Sequence, residues 1–303
     1  MSSEISVKEK LKILKSWFRE NPNLPEEIDL TLLKRFLKCM NYDVEETKKL
    51  LERNYFLRNK TPQIFIDRNP EDEVTRKSFL NVEMVPLPGL TADNYKVLCF
   101  RLINKDAKAQ NNIEESKAFF MMTDTRFTFD DVTDNFSVTL PPPPTETANE
   151  DAEDIDDDMS KLSNGEIHIV DIANYTLRHI ANMSLMVMRA YMNFLQEAYP
   201  VRLKAMHIIN CPAQVNHMVR ITKPFIREEV FNMTHFHTKG LETLYEQVPR
   251  DILPLDYGGN ARSLAEISSD WWKIINNKKE YLMDPRHWKV TKTEEAPSRW
   301  SLW

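Results

Sequence analysis

Glycine is what this chain most lacks. Only five of its 303 residues are Gly: Gly89, Gly165, Gly240, Gly258 and Gly259. Average usage is roughly 7%. Phosphate-cradling loops and dinucleotide fingerprints need closely spaced glycines, because backbone must approach phosphate. No grouping of these five makes either one, so P-loop and Rossmann-fingerprint cofactor binding are excluded. The chain must fold by side-chain packing. It is long enough for one large domain or two modest ones with a sizeable core. Hydrophobic residues at 42% and charged residues at 28% rule out collagen, a disulfide scaffold and global disorder.

Cys39, Cys99 and Cys211 are an odd, scattered set with no CxxC pair. Zinc ribbons and thioredoxin chemistry are therefore not supported. The opening MSSEISVKEK has no apolar core of a signal peptide, and no run of about 18 apolar residues crosses a bilayer. A reduced, cytoplasmic setting is expected. The sequons at Asn135, Asn174, Asn182 and Asn232 carry no weight there. Charge is unevenly placed. Glu146 to Asp158 holds eight acidic residues and no basic one, and without them the net charge moves from −6 to +2. No basic stripe interleaved with aromatics appears, so nucleic-acid binding is not expected.

The first 60 residues read as helices. Ser6 and Glu9 form a capping box ahead of Val7, Leu11, Leu14 and Phe18. Asp29 starts a second helix with Leu32, Leu33, Phe36, Leu37 and Met40 on one face. Asp43 and Glu46 cap a third, and Thr61-Pro62 starts a short fourth. From about residue 80 the pattern changes. Residues 96–103, 166–172 and 204–209 are strand-length apolar runs, and 230–236 is a candidate last strand. Helix spacing occupies 113–127, 183–199 and 213–222 between them. That alternation predicts an α/β fold with a mostly parallel sheet. Ser263 and Glu266 cap a last helix with Leu264, Ile267, Trp271 and Ile274/Ile275. Pro141–Pro144 and the acidic run make 138–163 a solvated surface loop. The expected division is a helical domain over 1–76, an α/β domain over 77–260, a helix over 261–283 and a Trp-rich tail over 284–303.

Chemistry-bearing constellations are few. His235 and His237 alternate on one strand face, yet zinc usually takes three or four ligands. No G-x-S-x-G elbow, HExxH or kinase signature is present. Cys211 has no neighbouring base in sequence. No catalytic residues, no metal and no cofactor are expected. Half of the 14 Met lie between Met183 and Met233. Met is flexible and polarizable, which suits a loosely specified core or a cavity wall that adapts to an apolar guest.

The stretch YPVRLKAMHIINCP, then KPFI, then HFHTKGLETLYEQVPRDILPLDYGG, resembles the core of the CRAL-TRIO lipid-binding family, and in particular its tocopherol-transfer and retinaldehyde-binding branch. IHIVDIANYTLRHI is similar to that family's preceding strand and turn. LLKRFLKCMNYDVEETKKLLERNYFLR is similar to its amino-terminal helices. The likeness covers roughly residues 28–268. It implies an all-helical amino-terminal domain and a mixed sheet flanked by helices around an apolar pocket with a gate helix. It also implies a non-enzymatic cytoplasmic carrier that takes up one isoprenoid-like lipid, such as a tocopherol, retinoid or carotenoid, and exchanges it transiently at membranes. An alternative is a lipid-responsive adaptor with the acidic loop as its partner site.

On that resemblance Phe119, Met122, Val170, Met183, Val187, Tyr191, Phe194, Leu195, Leu203 and Met206 are the expected wall, with His168 as a polar contact. Val215, Met218, Val219, Thr222, Phe225 and Ile226 are the expected lid, with Asn216, Arg220 and Lys223 on its polar back. At about 25 cal/mol per Å², burying a few hundred Å² of lipid would contribute on the order of 10 kcal/mol before ordering costs. The branch also grips a phosphoinositide head group in a basic cleft. By position Arg58, Arg202 and Lys204 keep that charge, whereas Glu229 and Met233 replace two further basic positions.

Overall fold

The computed structural model describes residues 5–132 and 155–292. Helices α1 (Val7–Glu20), α2 (Leu30–Cys39), α3 (Val44–Lys60), α4 (Pro62–Phe65) and α5 (Glu73–Asn81) come first. Strands β1 (Val82–Pro86) and β2 (Tyr95–Leu102) follow, then α6 (Asn112–Arg126), β3 (Gly165–Asp171), α7 (Leu177–Ala181), α8 (Leu185–Glu197) and β4 (Leu203–Ile209). The remainder is α9 (Val215–Thr222), α10 (Glu228–Asn232), β5 (Thr234–Phe236), α11 (Glu242–Tyr245), α12 (Leu264–Asn277), α13 (Lys279–Met283) and α14 (Pro285–Trp288). Local chemistry sets many helix starts. Ser6 with Glu9 and Ser263 with Glu266 close reciprocal capping boxes, and Asp29, Asp43, Asp72 and Asn111 each accept a first-turn N–H.

The sheet runs β1-β2-β3-β4-β5, with β1 antiparallel and every other pairing parallel. This is the mostly parallel mixed sheet the sequence implied. Period-2 alternation divides its side chains between two layers. Val97, Cys99, Ile167, Ile169, Ala205 and Ile209 pack with Leu264, Ile267 and Trp271 of α12. Leu98, Phe100, His168, Val170, Met206 and Ile208 occupy the opposite face, towards α6 and α8. Gly165 is needed where β3 begins, since a Cβ there would lie 2.6 Å from the Arg202 carbonyl oxygen.

The amino-terminal helices are not a separate body. One apolar cluster runs from Leu11 and Phe18 through Phe36, Tyr55 and Phe65 to Phe119, Phe120 and Phe194. Inside it lies a buried charge cluster. Asp124 of α6 accepts from Arg58 Nη1 and Nη2 at 2.8 and 2.7 Å, and from Arg68 Nη1. Arg58 Nε reaches Asn54 at 2.8 Å. The Trp288 ring lies 4.8 Å from the Arg58 guanidinium and 4.5 Å from that of Arg68.

One expectation needs correcting. The segment read as a surface loop over 138–163 is packed from residue 155 onward. Ile155, Met159 and Leu162 are buried, and Asp156 pairs with Lys34 at 2.9 Å. Residues 133–154, including the four prolines, lie outside the described residues. The Trp-rich tail wraps the helical domain over its described part. Trp288 is buried, and Lys292 donates to carbonyls of Phe18, Arg19, Asn21 and Pro25. Residues 293–303 lie outside the description.

Removing one partner of a buried charge cluster leaves the others desolvated and unpaired, at a cost of about 3–5 kcal/mol. Asp124→Ala strands two guanidiniums. Its urea unfolding midpoint is expected to fall by that much stability. A loss below about 1 kcal/mol would show that the cluster does not hold the fold.

Candidate functional site

The predicted wall residues separate into two groups. Phe119, Met122, Val187 and Phe194 are fully buried members of the packed core. Phe194 packs between Phe65 and Phe120, tilted on one and edge-on to the other, with centroids 4.6 and 4.9 Å away. These four therefore close a solid layer rather than line a space. Val170, Met183, Tyr191, Leu195, Leu203 and Met206 differ, since each retains accessible surface although flanked by strands and helices. Phe100, which the sequence did not single out, belongs with them. It pairs in register with Val170, and its ring lies 5.7 Å from Phe119 and 5.3 Å from His168.

The tyrosines show where this surface lies. Burial pushes the Tyr175 phenol up to about 12, and pushes Tyr191 higher still. Both side chains nonetheless remain only half-buried by accessible area. Both rings are therefore surrounded by protein on most sides without being sealed from solvent.

The expected gate segment is α9, followed by a tight turn over residues 223–225. The helix starts at Val215, two residues later than predicted. Its Gln214 N-cap makes no side-chain bond. Val215 and Met218 are buried, whereas Val219, Thr222, Phe225 and Ile226 are half-buried. Asn216, Arg220 and Lys223 face solvent. The main neighbours of α9 are α7 and the following turn. The turn is tied to α8 by Gln196, whose amide donates to Phe225 O at 3.2 Å.

The three basic residues do not converge. Arg58 is buried in the Asp124 cluster and offers nothing to an external anion. Position in sequence carried it into the cleft; the surrounding aromatic core turns it inward. Arg202 is exposed and donates to Cys39 O at 2.9 and 2.5 Å. Lys204 is exposed over the Tyr95 ring, 5.6 Å away. Arg202 instead shares a small open cleft with Arg35, Lys38, Ser163 and Asn164. The Ser163 hydroxyl is buried there without a hydrogen-bond partner among the described residues. Cys39 also lines it, but burial pushes its thiol up to about 11, which makes it unreactive at neutral pH.

His235 and His237 are joined by His207 on the α12 side of the sheet. His207 Nδ1 lies 2.9 Å from His237 Nε2, His237 Nδ1 lies 2.6 Å from Thr243 Oγ1, and the His207 and His235 rings stack at 5.2 Å. Among the described residues, no group of three or more His, Cys, Asp or Glu is arranged to hold a metal. The trio instead ties the three-residue edge strand β5 to β4. Burial, with the neighbouring histidines, lowers His207 to about 4 and also lowers His237. An unfolded His takes its proton near pH 6.5. The unfolded chain thus binds more protons over the window between, and stability drops as pH falls from about 6.5 to 4. The urea midpoint is expected to decline across that range, and His207→Phe should flatten the decline. A midpoint independent of pH there would contradict the burial of neutral rings.

Comparison with known proteins agrees with this architecture. Residues 149–259 match the CRAL/TRIO domain family, and residues 3–75 match the Pinta-like UBA domain family. Alpha-tocopherol transfer protein-like of Homo sapiens is 24% identical over 259 residues, which is 85% of this chain and 65% of that protein. The chain thus spans just under two thirds of the length of that relative. Clavesin-2 of Rattus norvegicus is 26% identical over 96 residues, covering 32% of this chain and 29% of that one. The crystal structure of Sfh5 superposes with a TM-score of 0.50 at 13% identity, over 91% of this chain and 93% of that chain, a likeness of fold. Over residues 149–259 this chain is similar to the CRAL/TRIO domain family, and its helical amino-terminal region and mixed, mostly parallel sheet between helical layers agree with that likeness.

Proposed function

We propose that this chain binds one elongated, isoprenoid-like lipid against the sheet face of β3–β5, between α8 and α9, and exchanges it at membranes without chemical conversion. The observation that carries the reading is the set of apolar side chains deep in the fold that keep accessible surface. Val170, Met206, Tyr191 and Leu195 converge there from the sheet and α8. Native interiors are close-packed, so an apolar layer that keeps accessible surface beside a solid one suits a guest. Met183 and Met206 let such a wall adapt to shape. The names of the relatives favour a tocopherol-sized ligand, with retinoids and carotenoids in the same class.

Membrane contact has its own support. Leu177, Leu185, Met186 and Ile221 are exposed at 39, 62, 62 and 40% on α7, the start of α8, and α9. Exposed large apolar groups on neighbouring helices mark interaction surfaces. Among the described residues no helix is long and apolar enough to cross a membrane. Contact would therefore be peripheral, with α9 moving to let the lipid pass. Phosphoinositide binding draws support from the cleft of Arg35, Lys38, Ser163 and Arg202, and not from Arg58.

Mass spectrometry of the protein purified from a lipid-rich extract should find one copurifying hydrophobic compound in about equimolar amount. Leu195→Trp, which fills the gap, should lower its recovery at least several-fold with little loss of stability. Absence of any lipid from wild type, under conditions where a known carrier is loaded, would end the carrier reading. For the cleft, Arg202→Glu with Lys204→Glu should weaken sedimentation with phosphoinositide vesicles about tenfold and leave neutral vesicles unaffected. Unchanged sedimentation would remove head-group recognition.

A further inference from the structure

The gate segment leaves the sheet and returns to it at the same strand. The chain departs β4 after Ile209 and comes back as β5, whose Thr234, His235 and Phe236 pair with Met206, His207 and Ile208. Its middle is tied to α8, by Gln196 to Phe225 O and the Arg227 N–H and by the Glu197–Arg227 pair. Arg227 is exposed, and exposed ion pairs contribute little. The return end depends on a three-residue edge strand. Met206 N donates to Met233 O at 2.9 Å, and His237 N donates to Ile208 O at 2.8 Å. The bond between His207 Nδ1 and His237 Nε2, at 2.9 Å, reinforces them.

Counting hydrogens shows what acid does to that bond. The gap between the two ring nitrogens holds one hydrogen, since none would oppose two lone pairs and two would clash. His237 Nδ1 can hold a second, donated to Thr243 Oγ1 at 2.6 Å. Both rings are then neutral and each N–H has a partner. A third hydrogen has only His207 Nε2 left to take it. That atom is buried and has no hydrogen-bond partner among the described residues. Protonation of the pair therefore creates a buried charge and an orphaned donor together, whichever ring carries the charge.

The surroundings do not compensate. His235 stacks on His207 and can only repel a cation. Burial raises the Cys211 thiol, so it stays neutral. Asp171 at the end of β3 is engaged by Tyr257 and Asn210. Lys239, Glu242 and Glu246 are exposed. On α12, Glu266 bonds Ser263, and Asp270 pairs with Arg262 and Lys273. Among the described residues no carboxylate bonds either ring.

We propose that the His207–His237 pair is an acid-released latch: on taking up one proton it lets β5 leave β4 and opens the edge of the sheet face on which the lipid is placed. The carrier holds its guest at neutral pH and gives it up faster in acid. The sign follows from proton binding. Latched His207 takes its proton near 4, by burial and the neighbouring histidines, and a released ring takes it near 6.5. Opening thus grows as pH falls, by about tenfold from pH 7 to 5. The consequence for lipid rests on the carrier reading above; the latch itself does not.

Hydrogen exchange of the ligand-free full chain tests the latch without lipid or variant. Protection factors of the Met206 and His237 amides should fall about tenfold from pH 7 to 5, while those of β2 and β3 change less than about twofold. Unchanged protection, or an equal fall across the sheet, overturns the latch. For the consequence, α-tocopherol should leave loaded wild type for phosphatidylcholine vesicles about tenfold faster at pH 5 than at pH 7. His207→Asn with His237→Gln, whose amides can bridge but take no proton, should release at one rate at both. Equal wild-type rates overturn the latch as a release device and leave the carrier reading standing. Failure of the wild type to load α-tocopherol or retinol counts against the carrier reading, and hydrogen exchange still decides the latch.

Discussion

A single buried carboxylate, Asp124, takes hydrogen bonds from two guanidiniums, and the placement of α6 depends on it. Arg58 reaches it from α3 and Arg68 from the loop after α4, while Trp288 lies against both from α14. Burial opposes the charge on Asp124, and the two arginines reverse that, holding it below the usual carboxylate range. Three separate stretches of chain are thereby fixed to one helix at one point. Such a cluster gives less net stability than its Coulomb attraction suggests, because desolvation consumes most of it. What it adds is position. A slipped α6 would leave two charges unpaired in a greasy core.

Fixing α6 has consequences at its far end. Arg126 is the last residue of that helix and joins Asp131 to Glu166 on β3. The helix thus carries one charge cluster towards the amino-terminal helices and a second towards the sheet. Between them Phe119, Phe120 and Met122 pack solidly. The result is a stiff slab on one side of the candidate pocket. The opposite side is α9, an eight-residue helix with no side-chain N-cap, held by α7 and one turn. Isolated helices of that length do not persist in water, so its order comes from what it covers. Rigid wall and weakly held cover are the two mechanical properties that uptake and release of a large guest require.

Much of this was legible in the residues. Capping signals located α1, α2, α3 and α12 closely, and strand-length apolar runs located β2, β3 and β4 to within a residue or two. The misses have physical causes. α5 and β1 abut at Asn81 and Val82 with no turn between them, so neither period is long enough to read. α7, at Leu177–Ala181, is too short to show a period ahead of the run 183–199, within which Ser184 caps α8. The resemblance puts Arg58 in a basic cleft, but matching by position does not tell which way a long side chain leans. A carboxylate 66 residues away decides it. Phe119 and Phe194 look like pocket wall by type and spacing alone. Only the aromatic neighbours Phe65 and Phe120 show that the space beside them is already full.

The scarcity of glycine acquires a meaning in this setting. A chain that bound a phosphate-rich cofactor would bring backbone to its ligand, and would need glycine at the point of contact. Here glycine serves strand entry at Gly165 and the left-handed turn at Gly258, both outside the apolar layer. The surfaces of the proposed guest site are side chains, from Phe100 and Val170 on the sheet to Tyr191 and Leu195 on α8. Side-chain walls discriminate by shape and bulk, which is weak discrimination among lipids of similar size. A buried polar atom in such a wall is therefore disproportionately informative. Arg126 and Glu166 fix one at His168, whose register partners Leu98 and Met206 and face neighbour Val170 are apolar.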